Sequence, residues 1–349
     1  MGTPADSLGM WDATAGLPEQ ITDAIARAER AELDRCLRGD EIANVVVCGM
    51  GGSGLAGDVL AALAYPRLAV PVSVVKGYRL PAHVGRRTMV FAVSCSGDTE
   101  ETIEAAADAR RRGACVITVA GPGALAAAAG DDQGSLVPVP ADIPQPRAAF
   151  GALAVPPLVV LDRLGLLEGM RDMVRSAADD LASSRDLLVQ PDSAAAQLAR
   201  AIGDTIPLVH GAPGPTGVAA VRWKTQINEN AKTPAFHSLQ PELCHNEVAG
   251  WGQRREVTQK SLSLVALRYG AEHPKVARRF SLVERLMGDV VTNVIDVRSD
   301  ATTDVFALFD LALLGDFVSL HLAERVGVDP GPVTVLADLK TRLASPWSG

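Results

Sequence analysis

The sequence has few aromatic side chains and no excess of positive charge. Phe, Trp and Tyr make up 4% of the 349 residues, so Ala, Val and Leu must fill the hydrophobic cores. Lys and Arg number 33 against 41 Asp and Glu, which gives a formal net charge of −8. This balance argues against a polyanionic partner such as nucleic acid. A small phosphorylated ligand stays possible, because one local pocket can be positive in an acidic protein.

Three further absences narrow the class of protein. The five cysteines are odd in number and form no CxxC pair, which disfavours a disulfide framework or a zinc ribbon and favours reduced thiols in the cytoplasm. Asp6 and Asp12 interrupt the first residues, so no signal peptide is expected. The apolar run near residues 148–161 contains Gly and two prolines and is too short to span a bilayer.

The length suits two domains of about 150 residues each. Strands and helices alternate along the chain, which predicts doubly wound parallel sheets and an α/β fold. We place an N-terminal domain at residues 1–150 and a C-terminal domain at residues 151–349. The proline-rich stretch Gly134–Pro146 is interpreted as the connector between them.

The predicted strands are apolar and the predicted helices are amphipathic. The strands are expected at residues 44–48, 70–75, 89–94, 115–120, 206–211, 263–267 and 294–297. The helices are expected at about residues 18–37, 55–64, 99–112, 216–230 and 303–326, with further helices before residue 203. The second half echoes the first weakly, as a duplicated unit would.

A glycine-rich loop follows the first strand. Gly49-x-Gly51-x-x-Gly54 matches the dinucleotide fingerprint, which also requires an acidic residue at the end of the second strand. That strand ends in Lys76-Gly77, so NAD binding is disfavoured. A Walker loop is excluded because no Lys-Ser/Thr pair follows the glycines.

A second loop, Ser94-Cys95-Ser96-Gly97-Asp98-Thr99, carries three hydroxyl groups at the start of a helix. Hydroxyls beside the N–H groups of a helix N-terminus form a cradle for phosphate. The alternative is that Asp98 or Thr99 only caps the helix. The residue types alone leave these two interpretations about equal.

The sequence resembles the bifunctional phosphoglucose/phosphomannose isomerases, a family built from SIS (sugar isomerase) domains. The resemblance spans about residues 10–345 and is carried by Gly51–Asp58, Ser94–Thr102, Pro146-Arg147, Arg222–Phe236, Pro241–Glu247, and Asp329–Val333 with Leu339-Lys340. It implies two SIS domains and interconversion of fructose 6-phosphate with glucose 6-phosphate and mannose 6-phosphate through an enediolate. It also implies a role in carbohydrate metabolism, in glycolysis and gluconeogenesis.

The resemblance assigns roles to nine residues. The expected phosphate-binding residues are Gly52, Ser53, Ser94, Ser96 and Thr99, and the expected catalytic residues are the base Glu229, the ring-opening groups His245 and Lys340, and the enediolate-stabilising Arg147. Without the resemblance, each catalytic candidate would be interpreted as a surface or structural side chain. Cys95, Asp98 and Cys244 depart from the family pattern, and Asp98 places a carboxylate beside the expected phosphate.

The resemblance further implies a homodimer in which His245 enters the active site of the neighbouring subunit. No metal or other cofactor is expected, because no cluster of His, Cys and carboxylates has metal-ligand spacing. Two alternatives remain open: a SIS module that binds a sugar phosphate without turnover, and an aminosugar-phosphate isomerase. The sequence does not rank glucose 6-phosphate against mannose 6-phosphate.

Overall fold

The computed structural model describes residues 5–34, 36–131 and 135–344, which form two parallel sheets. The N-terminal sheet contains β1 (Asn44–Cys48), β2 (Val72–Val75), β3 (Thr88–Ser94), β4 (Cys115–Ala120) and β5 (Ser135–Pro138). Its strand order is β2-β1-β3-β4-β5. The C-terminal sheet contains β6 (Ile206–Gly211), β7 (Phe236–Leu239), β8 (Leu262–Tyr269) and β9 (Asn293–Ser299), in the order β7-β6-β8-β9. All paired strands are parallel, which confirms the predicted fold class.

Helices precede, connect and cover the strands. In the first half they are α1 (Met10–Ala15), α2 (Leu17–Glu29), α3 (Gly51–Ala64), α4 (Glu100–Arg111), α5 (Ala124–Asp131), α6 (Phe150–Arg163) and α7 (Met170–Leu188). In the second half they are α8 (Ala194–Ile202), α9 (Pro215–Asn230), α10 (Arg255–Ser261), α11 (Pro274–Met287), α12 (Asp304–Val326) and α13 (Thr334–Ala344).

The central strand β3 shows why the strands of the N-terminal sheet appear in the sequence as unbroken apolar runs. Every residue of Thr88–Ser94 is buried, because helices cover both faces of a parallel sheet. β3 pairs with β1 on one side and β4 on the other. The carboxyl ends of β1 and β3 therefore lie side by side at the point where the strand order reverses, the usual place for a ligand in such sheets.

Two sequence-based element predictions are wrong. Part of the stretch interpreted as a connector forms strand β5, which pairs with β4. Ser135 and Val137 are buried while Leu136 is half-buried, and Pro138 is tolerated because it ends an edge strand. The helix predicted to run to residue 37 ends at Glu29. The edge strand β7 was not predicted.

Helix α12 lies in the core of the C-terminal half. The Thr303 hydroxyl accepts a hydrogen bond from the Phe306 N–H at its start, and Gly327 adopts a left-handed conformation (φ 73°) at its end. Within the described residues, α12 alone is long and apolar enough to cross a bilayer, but 78% of its apolar window is buried. It packs against α7, α8 and α9, as a core helix does.

Helix α6 packs against α2 and α3 of the N-terminal half. Together with α7 and α8 it joins the two sheets, and its two internal prolines, Pro156 and Pro157, are both buried. The domain boundary placed after residue 150 stays a prediction.

Candidate active site

The glycine loop after β1 turns tightly into α3. A Cβ at Gly49 would lie 2.8 Å from the carbonyl carbon and oxygen of Ser53, so no larger residue fits without a backbone shift. The Ser53 side chain is buried, and its Oγ accepts a hydrogen bond from the Cys95 N–H at 3.2 Å. Ser53 thus ties the glycine loop to the hydroxyl loop after β3. Because Cys95 contributes a backbone N–H here, its departure from the family pattern leaves this link intact.

The hydroxyl loop is held by its own side chains. Ser94 Oγ lies 2.8 Å from Thr99 Oγ1 and accepts a hydrogen bond from the Gly97 N–H at 3.1 Å. Ser96 is exposed, and its Oγ accepts from the Asp98 N–H at 3.2 Å. Thr99 occupies the N-cap position of α4, but its side chain makes no capping hydrogen bond. The Thr99 hydroxyl is therefore oriented within the loop rather than used to cap the helix.

The Asp98 carboxylate is engaged by the next helix. Its Oδ1 accepts a hydrogen bond from the Ala124 N–H, the first residue of α5, at 2.9 Å. A carboxylate at a helix N-terminus is stabilised by the helix dipole. Part of its negative charge is thus offset by α5, which lessens the conflict with a bound phosphate.

The glycine loop packs directly on the segment that carries Arg147. A Cβ at Gly52 would lie 3.3 Å from the Pro146 carbonyl oxygen and 3.7 Å from the Arg147 Cα. This close approach brings two predicted regions together, although Arg147 lies 95 positions after Gly52 in the chain.

Arg147 is buried and every nitrogen of its guanidinium has a partner. Nε donates to Asn230 Oδ1 at 2.6 Å, and Nη2 donates to the Pro330 and Gly331 carbonyl oxygens, each at 2.6 Å. Nη1 lies 3.4 Å from Glu229 Oε2. Burial lowers the pKa of Arg147, and the nearby Glu229 carboxylate opposes that shift. The result is a fixed cation beside a carboxylate.

Glu229 lies one residue before the end of α9 and its side chain is 32% exposed. This carboxylate is therefore reachable from solvent, although its partner Arg147 is buried. A carboxylate that touches both a fixed cation and an open space can exchange a proton with a bound molecule.

A buried polar network supports the pair, and sequence reasoning gave its acid, Asp316, no role. The Asp316 carboxylate accepts from Arg222 Nη2 at 2.6 Å and from Gln226 Nε2 at 2.9 Å, and Arg222 Nη2 also donates to the Arg147 carbonyl oxygen at 3.1 Å. Burial raises the pKa of Asp316, whereas the Arg222 guanidinium opposes this. An acid in the middle of the apolar run at residues 311–320 of α12 is the sequence signal that could have identified it.

Lys232 is a second residue to which sequence reasoning gave no role. It follows α9 with a left-handed backbone (φ 54°), the one such non-glycine residue in the described part of the chain. Its Nζ donates to the carbonyl oxygens of Glu229 (2.9 Å) and Asp329 (2.7 Å), among others. Partial burial and the nearby Arg147 cation lower the pKa of Lys232.

The structure does not bring His245 and Lys340 to this pair within one chain. Both are exposed, and neither makes a hydrogen bond or ion pair with Arg147 or Glu229 among the described residues. The segment after β7 that carries His245 is fixed by Glu247, whose carboxylate contacts His210 Nε2 at 3.2 Å and accepts from the Ser238 hydroxyl. Cys244 donates to Gln240 Oε1 at 3.1 Å.

No group of three or more His, Cys, Asp or Glu side chains in the described ranges could hold a metal ion. A cleft of about 590 Å³ lies elsewhere, between α3 and the turn after β6, lined by Ala61, Pro213, Pro215, Leu239 and Tyr269 among others. None of the nine predicted site residues lines it.

Solved structures with the same architecture define the class of this fold. The chain superposes on tagatose-6-phosphate ketose/aldose isomerase from Escherichia coli with a TM-score of 0.70 and 15% identity, covering 95% of this chain and 98% of that one. It also matches the C-terminal domain of glucosamine-fructose-6-phosphate aminotransferase from Francisella tularensis, with a TM-score of 0.69, 16% identity, and coverage of 93% and 98%. The fold is that of the SIS-domain phosphosugar isomerases.

Sequence relatives narrow the class to a family. The chain is 33% identical over 339 residues to the bifunctional phosphoglucose/phosphomannose isomerase of Caldicellulosiruptor bescii, covering 96% of this chain and 99% of the relative. It is 33% identical over 300 residues to that of Aquifex aeolicus, covering 86% and 90%. Residues 191–343 match the bacterial phospho-glucose isomerase C-terminal SIS domain. The chain belongs to the bifunctional phosphoglucose/phosphomannose isomerase family, as the resemblance predicted.

Proposed function

We propose that this chain, an aldose–ketose isomerase by its family, interconverts fructose 6-phosphate with glucose 6-phosphate and mannose 6-phosphate through an enediolate. Glu229 takes the proton from C2 of the open-chain aldose and returns it to C1. The Arg147 guanidinium stabilises the negative charge that develops on the enediolate oxygens. In the reverse direction, the same two residues convert the ketose into the aldose.

The observation that carries this proposal is the contact between Arg147 and Glu229. The guanidinium is already fixed by Asn230 and two backbone carbonyls, so it needs little reorganisation when charge develops beside it. A module that only binds sugar phosphates has no need of a buried cation beside a reachable carboxylate. The pair therefore favours turnover over binding alone.

Phosphate binding is proposed for the two loops at the switch point of the N-terminal sheet. Ser53, Ser94 and Thr99 present hydroxyl groups, Gly52 keeps the loop against the Arg147 segment, and exposed Ser96 faces solvent. The N-termini of α3 and α4 add their dipoles, which favour an anion.

The test is an assay of the wild type and Glu229→Gln with each hexose 6-phosphate, measuring formation of fructose 6-phosphate. Glutamine is nearly isosteric but cannot take the proton, so turnover should fall by about 10²–10⁴-fold. Glu324→Gln, which removes a half-exposed carboxylate on α12, is the matched control and should keep wild-type rates. Near-normal turnover of Glu229→Gln would reject Glu229 as the base.

We also propose a homodimer that completes the site, with His245 reaching the Arg147–Glu229 pair of the other subunit and Lys340 assisting ring opening. Both side chains are exposed, and among the described residues neither bonds to the Arg147 of its own chain, which supports this. Inactive Glu229→Gln and His245→Ala chains refolded together should regain roughly a quarter of wild-type activity. The reason is that about half of the dimers are mixed, and each mixed dimer has one of its two sites intact. Proven subunit exchange with no recovery would rule out action between subunits.

The setting proposed for this activity is the cytoplasm, in glycolysis and gluconeogenesis. Turnover is expected without added metal or nucleotide, and a chelator should leave the rate unchanged.

A further inference from the structure

Lys232 has a left-handed backbone conformation, which is unfavourable for residues that carry a side chain. It occupies the first position beyond the Ala231 C-cap of α9, where a left-handed residue is usually glycine. A Cβ in this region approaches the following carbonyl oxygen, so a lysine is less stable here than glycine would be. Strained residues of this kind cluster at functional sites, where the surrounding contacts maintain them.

The contacts that maintain Lys232 are made by its ammonium group. Nζ donates to the carbonyl oxygens of Glu229 (2.9 Å) and Asn230 (3.2 Å) at the end of α9. It also donates to the carbonyl oxygens of Asp329 (2.7 Å) and Pro330 (3.2 Å). One cation therefore joins the end of the helix that carries Glu229 to the segment Asp329–Gly331, here called the strap.

The strap is also what holds Arg147. The Arg147 Nη2 donates to the Pro330 and Gly331 carbonyl oxygens, so the Pro330 carbonyl is shared between the two cations. Inside the strap, Asp329 Oδ1 accepts from the Gly331 N–H at 2.9 Å, which keeps the turn closed. The strap thus stands between Lys232 and Arg147.

We propose that Lys232 is a positioning residue for the isomerase reaction: by joining the end of α9 to the strap, it fixes the distance between the Glu229 carboxylate and the Arg147 guanidinium. This inference rests on the proposed function. Lys232 acts through backbone carbonyls rather than on the sugar. Its effect is expected in kcat, because its ammonium bonds to carbonyl oxygens of α9 and the strap, and no bond in the described residues joins it to the loops proposed to bind phosphate.

Two variants separate this role from simple helix capping. Lys232→Gly removes the ammonium and relieves the left-handed strain, whereas Lys232→Met removes the ammonium and keeps the strain. If the ammonium positions the pair, both variants lose kcat by on the order of 10- to 100-fold with little change in KM. Lys232→Gly should do so without the loss of stability that Lys232→Met shows. Lys232→Arg should recover part of kcat.

Arg163→Met provides a matched control. Arg163 Nη1 also donates to backbone carbonyls at the end of a helix, those of Ala28 and Ala31 around the C-terminus of α2, at 2.7 and 2.8 Å. Among the described residues, no hydrogen bond or ion pair joins Arg163 to the strap or to the Arg147–Glu229 pair. This variant should lose stability and keep kcat. Wild-type kcat in Lys232→Gly and Lys232→Met, or a kcat that only follows the folded fraction, would overturn the proposal.

Hydrogen exchange gives a readout that needs no activity. In Lys232→Gly the Gly331 N–H and its neighbours in the strap should exchange faster than in the wild type, and in Arg163→Met they should not. If the strap exchanges faster in Lys232→Gly but the wild type turns over no hexose 6-phosphate, the proposed function is wrong and the link between α9 and the strap through Lys232 is supported. If the wild type is active and the strap exchanges at the same rate in Lys232→Gly as in the wild type, the proposed role of Lys232 is wrong.

Discussion

The turn after β1 and the turn after β6 hold the same place in their sheets and have similar backbones. A Cβ at Gly54 would lie 2.7 Å from the Gly49 carbonyl oxygen, and one at Gly217 would lie 2.6 Å from the Ala212 carbonyl oxygen. Each turn follows the strand, β1 or β6, at which the strand order of its sheet changes direction. The duplication that the sequence suggested weakly is therefore visible in the packing of these glycines.

The polar groups of the two turns are used differently. Ser53 Oγ accepts a hydrogen bond from the Cys95 N–H in the neighbouring loop, which joins the two loops. Thr216 Oγ1 instead bonds to the N–H and the carbonyl oxygen of Ala212 within its own turn. Helix α9 also starts with Pro215, which offers no N–H to an anion.

The loops after β3 and β8 differ in the same direction. The first carries Ser94, Ser96 and Thr99. The second begins at Tyr269, whose hydroxyl donates to Asp304, and the adjacent Arg268 is buried in an ion pair with Glu272 at 2.8 Å. We infer that the duplicated turn kept its structural role in both domains, while only the N-terminal copy is suited to bind phosphate.

The largest expected effect tests the shared structural role. Gly49→Ala and Gly211→Ala should each lower the free energy of unfolding by about 2 kcal/mol or more, because the new Cβ meets backbone atoms that cannot move aside cheaply. Those atoms belong to Ser53 at 2.8 Å and to Thr216 at 2.4 Å. Denaturant titration measures the change.

Gly77→Ala is the control for these variants, since a Cβ there meets nothing within 4 Å. It should change the free energy of unfolding by no more than about 0.5 kcal/mol. If Gly211→Ala were as harmless as Gly77→Ala, the two turns would not share a structural role.

A smaller effect tests the difference in binding. Thr99→Ala should raise KM for hexose 6-phosphate about tenfold, the cost of one hydrogen bond to a charged group, and should weaken inhibition by inorganic phosphate in parallel. Thr216→Val should leave KM unchanged and lower the free energy of unfolding by about 1–3 kcal/mol, because the Ala212 N–H loses its partner. Steady-state kinetics and denaturant titration distinguish the two.

An equal rise in KM in both threonine variants would contradict the asymmetry between the domains. So would an unchanged KM in Thr99→Ala, which would return the hydroxyl loop to a purely structural role.

The smallest effect concerns Asp98. Asp98→Asn keeps an oxygen acceptor for the Ala124 N–H and removes one negative charge near the proposed phosphate site. KM should fall by less than about threefold, because α5 already offsets part of that charge. Kinetics at two salt concentrations check this, since a charge effect weakens as salt rises. A tenfold fall in KM would show that the carboxylate opposes phosphate strongly.

Local patterns in the sequence predicted most of the fold, because each depends on neighbouring residues only. The apolar runs of β1, β3 and β4 and the glycines that follow β1 are such patterns. The prediction failed at the margins of the sheets. β5 and β7 are short edge strands whose pairing depends on β4 and β6, and proline in the β5 segment favoured a connector.

The candidate site likewise has features that the sequence predicted and features that only the structure shows. Residue types and the family resemblance named Arg147 and Glu229, because the short block Pro146-Arg147 and the long block Arg222–Phe236 carry them. The contacts that fix the pair come from segments distant in the chain: Gly52 against the Arg147 backbone, Asp316 on Arg222, and Lys232 on the strap. The sequence by itself determined which chemistry the chain carries. Only the tertiary structure decided how its charges are held, because burial and left-handed strain arise from packing between distant segments.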